Sequence, residues 1–359
     1  MIVRMPRAVC LRKDLFILSF LFLILLSFAL PCNAQRVVRV EGAPESEHEW
    51  AGRFFNPGME TKTTFVRFLR WVSSRAGREE WVWVESEPGP PPPERVYGDT
   101  LRITFVNHAT FLIQTAGVNL LTDPIWSQRC SPVEWAGPKR FRDPGIRFED
   151  LPPIDIVLIS HNHFDHMDEE TLQRLVERDS PAILAGLRTG EDFHKMGIEG
   201  AIELDWWDRV MVDSLAIVFV PAQHSSARSS FARDRTLWGG FVLELASGPL
   251  YFAGDTGFGP LFKDVRRVFG PIRVSLLPIG AFLPQWFMGP VHMSPAEAVK
   301  AHQILESDYS IATHFGTFPL ADDGMHEPLD SLAVALQTEQ IPDSVFRVIS
   351  EGSSWMLIP

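Results

Sequence analysis

The chain has 359 residues, 45% of them hydrophobic, with 26 Phe, 11 Trp and a formal charge of −12. That length and apolar content support a single large α/β core as readily as two smaller domains. The acidic balance excludes a nucleic-acid partner, because such binding rests on neutralising phosphates with Lys and Arg.

The amino terminus reads as a targeting segment. Arg4, Arg7, Arg12 and Lys13 precede the apolar run Leu15–Leu30, and Cys32-Asn33-Ala34 supplies small residues for cleavage. Residues 1–34 are therefore expected to be a signal peptide cut after Ala34, sending the protein to the periplasm. An uncleaved membrane anchor is the alternative. After cleavage Cys130 is the one Cys left, so the fold does not depend on an internal disulfide.

Residues 35–60 are polar and mixed, and read as a mobile lead-in. Thr61–Glu85 is rich in Phe and Trp, and FVRFLRWV within it has the pattern of a short amphipathic helix. Its aromatic face can pack on the main domain, line a hydrophobic substrate groove with Phe54, Phe55, Phe65, Phe68, Trp71 and Trp286, or touch a membrane surface. EPGPPPPER (87–95) is a stiff extended linker, because its prolines forbid helix and central strand. The expected division is 35–97 as lead-in and linker and 98–359 as the main domain.

Short β-rich runs follow at 101–107, 111–115 and 118–122, with no helix between them, so they predict an antiparallel meander. Residues 125–148 read as a long ordered loop. Its basic residues Lys139, Arg140, Arg142 and Arg147 form either a solvated face or a contact for an anionic substrate. The run Ile154–Ser160 is apolar at nearly every position, as in a strand buried on both faces. HNHFDH comes next, and DEETLQRLVERD (168–179) then predicts an amphipathic helix. Further apolar strands are expected at 181–186, 215–223, 238–245, 249–254, 274–280 and 309–313. SPAEAVKAHQIL (294–305) predicts a helix with Ser294 as its cap, Pro295 in its first turn and Glu297 completing a capping box.

The chemistry lies at strand ends. His161, His163, Asp165 and His166 fall within six positions, where a packed core has little use for three imidazoles and a carboxylate. Zinc takes imidazole nitrogen and carboxylate oxygen, and a catalytic zinc keeps one position open. Later strands end on His224, Asp255 and His314. Together these seven residues suffice for two ions. One takes His161, His163 and His224, the other takes Asp165, His166 and His314, and Asp255 bridges them. Zinc is the default pair, while iron and manganese accept similar ligands. Asp123 and His108 are expected to orient ligands from behind. GDTGFG (254–259) lacks the GK[ST] ending of a phosphate loop, and no GxSxG serine elbow occurs.

HNHFDH, the isolated His224, FAGDTGF around Asp255 and ATHFGTF around His314 resemble the ordered motifs of the metallo-β-lactamase fold hydrolases. The resemblance covers roughly residues 98–359. It implies an α/β (α+β) four-layer αββα sandwich with mostly antiparallel mixed sheets and a binuclear site at one edge. TDPIWSQRCSPVEWAGPKRF (122–141) and GPVHMSPAEAV (289–299) further resemble the N-acyl-phosphatidylethanolamine-hydrolysing phospholipase D group. That group implies a zinc-dependent phosphodiesterase with a metal-bridging hydroxide as nucleophile. Asp165 and Asp255 are its catalytic carboxylates, and His292 serves oxyanion stabilisation or leaving-group protonation. A lactonase or small-ester hydrolase of the same fold is the alternative, and a metal-binding protein without turnover is a third. The expected partners are a lipid or small-molecule ester and a peripheral membrane contact, with a homodimer left open.

Overall fold

The structure is a computed structural model that describes residues 36–58, 65–74, 78–229 and 232–358. The expected signal peptide and the side chains of Phe65 and Phe68 lie outside the described residues.

Two mixed sheets form the main body. The strands, in chain order, are β1 (Val38–Arg39), β2 (Glu49–Trp50), β3 (Arg53–Phe54), β4 (Leu101–Asn107), β5 (Thr110–Thr115), β6 (Val118–Thr122), β7 (Ile156–Ile159), β8 (Ala182–Gly186), β9 (Ile202–Leu204), β10 (Asp208–Val212), β11 (Leu215–Pro221), β12 (Gly239–Glu244), β13 (Leu250–Phe252), β14 (Val274–Pro278), β15 (Tyr309–Thr313), β16 (Phe346–Arg347) and β17 (Ser354–Leu357). One sheet has the order β1-β10-β11-β12-β13-β14-β15-β16 and the other β17-β4-β5-β6-β7-β8-β9, while β2 and β3 form a separate hairpin. The helices are α1 (Phe65–Ser74), α2 (Glu169–Asp179), α3 (Gly190–Lys195), α4 (Leu261–Phe269), α5 (Gln285–Met288), α6 (Pro295–Leu305) and α7 (Glu327–Glu339).

The direction of the strands decides where the chemistry collects. The meander β4-β5-β6 is antiparallel, as expected, and β6, β7, β8 and β9 then run parallel. In the other sheet β10 to β13 alternate, and β13, β14, β15 and β16 run parallel. Hence β4, β6 and β7 share one direction, and so do β11, β13 and β15. Their carboxyl ends fall on one edge of each sheet.

Burial on both faces explains the continuous apolar runs. In β7, Ile156 and Leu158 join the core between the sheets, while Val157 and Ile159 face a second cluster that includes Leu172 and Leu175 of α2. Alternation would have left one face wet. Helix α6 begins as its sequence requires. Ser294 Oγ accepts from Glu297 N, and the Glu297 carboxylate accepts from Ser294 N at 2.8 Å.

The stretch read as a mobile lead-in is instead docked. Val38 and Arg39 pair with β10, and Phe54 N donates to Asp234 O at 2.7 Å. His48 Nε2 lies 2.8 Å from Asp205 Oδ1. The Pro-rich segment is likewise held against the body. Gln114 Nε2 donates to Pro93 O, Asn119 Nδ2 to Glu94 O, and Arg95 pairs with Asp155. Prolines forbid ladder pairing, yet the carbonyls still accept from buried amides.

Candidate metal centre

Every residue of the expected cluster sits just beyond a strand end. His108 follows β4, Asp123 follows β6 and the HNHFDH loop follows β7. From the facing sheet come His224 after β11, Asp255 after β13 and His314 after β15. The two edges meet directly, for His314 N donates to His108 O at 2.8 Å and Gly239 N to Ser160 O at 3.0 Å. His108, Asp123 and His314 all have positive φ, at 48°, 35° and 60°. Non-glycine residues in that region store about 1–3 kcal/mol each and gather where function demands it.

Three ring nitrogens converge in one half of the site. His163 Nδ1 lies 2.8 Å from His161 Nε2 and 3.3 Å from His224 Nε2. The opposite ring atoms are already engaged. His224 Nδ1 donates to Val291 O at 2.9 Å, and His161 Nδ1 lies 2.9 Å from Ser160 Oγ. Ser160 Oγ itself donates to Asp123 Oδ2 at 2.6 Å, so it is free to accept from His161. Both rings therefore turn an Nε2 lone pair inward. One shared proton satisfies a single pair of three converging nitrogens, whereas one cation satisfies all three.

The other half is richer in acid. Asp165 Oδ2 lies 3.1 Å from His166 Nε2, 3.4 Å from His314 Nε2 and 2.9 Å from His108 Nε2. His166 Nδ1 donates to Asp123 Oδ2 at 2.7 Å, which again aims Nε2 inward. Asp255 Oδ2 stands between the halves, 3.2 Å from His166 Nε2, 3.1 Å from His314 Nε2 and 3.9 Å from His224 Nε2. His292 Nδ1 is 3.8 Å from the same oxygen.

The electrostatics split along the same line. Burial pushes His163 down to about 3, with His224 adding repulsion, and it holds His161 well below the ordinary imidazole range. Depressed in this way, both rings favour the neutral form that a metal ligand needs. Burial alone would also raise the Asp165 and Asp255 carboxyls, but the His166 charge keeps both well below the usual range. In turn Asp255 and Asp165 overcome the burial of His314 and push it up to about 9. The acid half thus favours positive charge beside its carboxylates.

The donor set fits divalent metal. Asp255 Oδ1 is buried and has no hydrogen bond among the described residues. Unpaired buried polar atoms are costly, and a bound ion removes that cost. Ligand atoms of His161, His163 and His224 lie within 4.8 Å of one another, as do those of His108, Asp165, His166 and His314, and those of His224, Asp255 and His292. These buried clusters suggest a binuclear metal site. The structure brings all seven expected ligands together, and places Asp123 and His108 behind them.

Other expectations change. Arg140 and Arg142 do not form a solvated face. Arg140 is fully buried and donates to Ser127 O and Ile125 O, and Arg142 pairs with Glu351. They brace the long loop. Phe54 does not line a groove, for it is 3% exposed and lies in the core. Trp71 stacks on Phe287 at 4.8 Å, and Arg70 lies over the Trp286 ring at 4.7 Å, so α1 packs on α5 near His292. Sequence reasoning missed Ser160, which joins Asp123 to His161. A serine ending an apolar strand carries no signal of its own.

Comparison with known proteins agrees with this geometry. A family model described as the β-lactamase superfamily domain matches residues 118–315. An uncharacterized protein of Mycobacterium tuberculosis is 37% identical over 250 residues, 68% of this chain and 66% of that protein, just under two thirds of its length. N-acyl-phosphatidylethanolamine-hydrolyzing phospholipase D 1 of Caenorhabditis elegans is 34% identical over 265 residues, 70% of this chain and 74% of that one. Among solved structures, an isothiocyanate hydrolase from Delia radicum gut bacteria superposes with a TM-score of 0.58 at 20% identity, covering 71% of this chain and 98% of that one. At that identity the likeness concerns the fold.

Proposed function

The chain belongs to the metallo-β-lactamase superfamily and is a metal-dependent hydrolase of that fold, and from that premise we propose that it is a zinc phosphodiesterase acting on N-acyl-phosphatidylethanolamine-like lipids. The observation that carries the reading is the 34% identity to the nematode phospholipase D over 265 residues, 70% of this chain.

We assign His161, His163 and His224 to one ion, Asp165, His166 and His314 to the other, and Asp255 to both. Divalent cations held by these residues would supply a more acidic water and positive charge beside the ester oxygens. The protein's own groups do the rest. Asp255 Oδ2, ringed by four imidazoles, is placed to join the two positions as a carboxylate. Asp165 is fixed by the His108 contact at 2.9 Å. His292 is kept neutral by burial, which depresses its pKa well below the ordinary range. In our reading its ring N–H bonds to the leaving or non-bridging oxygen.

The lipid reading draws support from α1. Val66, Leu69 and Val72 are 74%, 49% and 46% exposed and lie on one arc of the helix. An apolar arc beside Arg67 and Arg70 suits a lipid surface. We also assign residues 1–34 to export, which fractionation of cells producing the full chain tests directly.

The decisive assay gives zinc-loaded protein and its Asp165→Asn variant vesicles containing N-acyl-phosphatidylethanolamine. The expected products are N-acylethanolamine and phosphatidic acid, detected by mass spectrometry and absent with the variant. Protein that holds two metals yet leaves the lipid intact refutes this substrate, and lactones and small phosphodiesters are then the substrates to screen.

A further inference from the structure

We infer that Asn56, on the segment that precedes the main body, is a positioning residue for the three-histidine metal position. Asn56 Nδ2 donates to His224 O at 2.7 Å, and His224 N donates to Asn56 Oδ1 at 3.3 Å. One side-chain amide thereby pairs both main-chain polar groups of a ligand residue. Trp238 Nε1 donates to the same Oδ1 at 3.0 Å and fixes the amide's orientation. The group is 5% exposed, so water cannot readily replace it.

His224 needs this support because of where the strand stops. The β11–β12 ladder ends at the Pro221–Gly239 pair, three residues before the ligand. Beyond that point the sheet no longer holds the chain. The His224 ring is held by Val291 O, and its main chain by Asn56. A buried N–H and C=O left unpaired by truncation would seek new partners and carry the ring with them.

Asn56 is itself anchored. Two residues before it, Phe54 N donates to Asp234 O at 2.7 Å, and Phe55 N donates to His48 O at 2.8 Å. His48 in turn meets Asp205. Docking of residues 38–56 is therefore passed to His224, a residue of the three-histidine position. The consequence is selective. The position formed by His161, His163 and His224 weakens when Asn56 is lost, while the position formed by Asp165, His166 and His314 does not.

The test titrates the metal-free full chain with Zn²⁺ against a chromophoric chelator and fits two binding steps. Asn56→Ala is expected to raise the dissociation constant of one equivalent about 10–100-fold, the usual effect of losing a group that orients a ligand. The other equivalent stays within about twofold. A His224→Ala chain in the same assay identifies which equivalent is which. Asn56→Asp has nearly the same volume, keeps both acceptor bonds and sets an oxygen against His224 O. It gives the same selective loss, and carries the test should the alanine chain not fold. Trp50→Ala, on the same segment but 78% exposed, changes neither step. Two unchanged equivalents in both Asn56 variants, or equal weakening of the two, overturn the inference.

Discussion

Replacing Asp123 by Asn tests the orienting network with little change of shape. Asp123 is fully buried, and its carboxylate accepts from Ser160 N at 2.7 Å, Ser160 Oγ at 2.6 Å and His166 Nδ1 at 2.7 Å. Its φ of 35° is one that Asn tolerates, so the main chain should not object. The amide, however, places an NH₂ against a donor whichever way it turns. Facing His166, it forces the ring proton from Nδ1 to Nε2, the atom aimed at Asp165 and Asp255. Loss of such an orienting group weakens metal binding about 10–100-fold, or roughly 1.4–2.7 kcal/mol. The position holding His166 should weaken most. Chelator competition on the zinc-free chain measures it, with circular dichroism confirming that the fold is kept. Binding of both equivalents within about threefold of the parent would refute the argument that Asp123 sets the His166 tautomer.

Three further outcomes follow from the geometry. Two metals, each at about 100 times its dissociation constant, add ~2.7 kcal/mol apiece to the folded state. Chelation should therefore lower the melting temperature by on the order of 10 °C, and zinc should restore it; calorimetry decides. Gly254 has a φ of 59°, and a Cβ there would lie 2.6 Å from Ser160 Cβ, so Gly254→Ala should cost about 2–4 kcal/mol in urea unfolding and loosen the HNHFDH loop. Burial opposes a charged His48, yet its bond to Asp205 raises the His48 pKa, while the bond to His48 lowers that of Asp205 despite burial. A raised histidine stabilises below its unfolded pKa of about 6.5 and loses that contribution as pH rises through its native value. The destabilisation caused by His48→Gln should thus be larger at pH 6 than at pH 9 in denaturant titrations. An equal loss at both values argues against an ionic contact.

Much of this protein was legible in its residues alone. A buried strand announces itself by apolar residues at every position, as in Ile156–Ile159, and a helix by its cap, as at Ser294. HNHFDH declares a metal loop because only a cation gives so many crowded ligands a common use. Its partners His224, Asp255 and His314 were found because each ends an apolar run. Strands as short as β9 and β16 escaped, since three residues or two hold too few positions for a period to show.

What the linear chain could not state is which distant groups face one another. Asn56 sits in a polar stretch with no pattern, 168 residues before the histidine whose main chain it pairs. Arg140 and Arg142 read as a solvated face or a substrate contact, and folding sets them against carbonyls and Glu351. The lead-in seemed free because prolines and polar residues cannot build a strand alone, although a sheet edge already formed can take one in. Side-chain type and local spacing are properties of the sequence. Pairing across sheets depends on strand direction and register, and those exist only once the two sheets have packed.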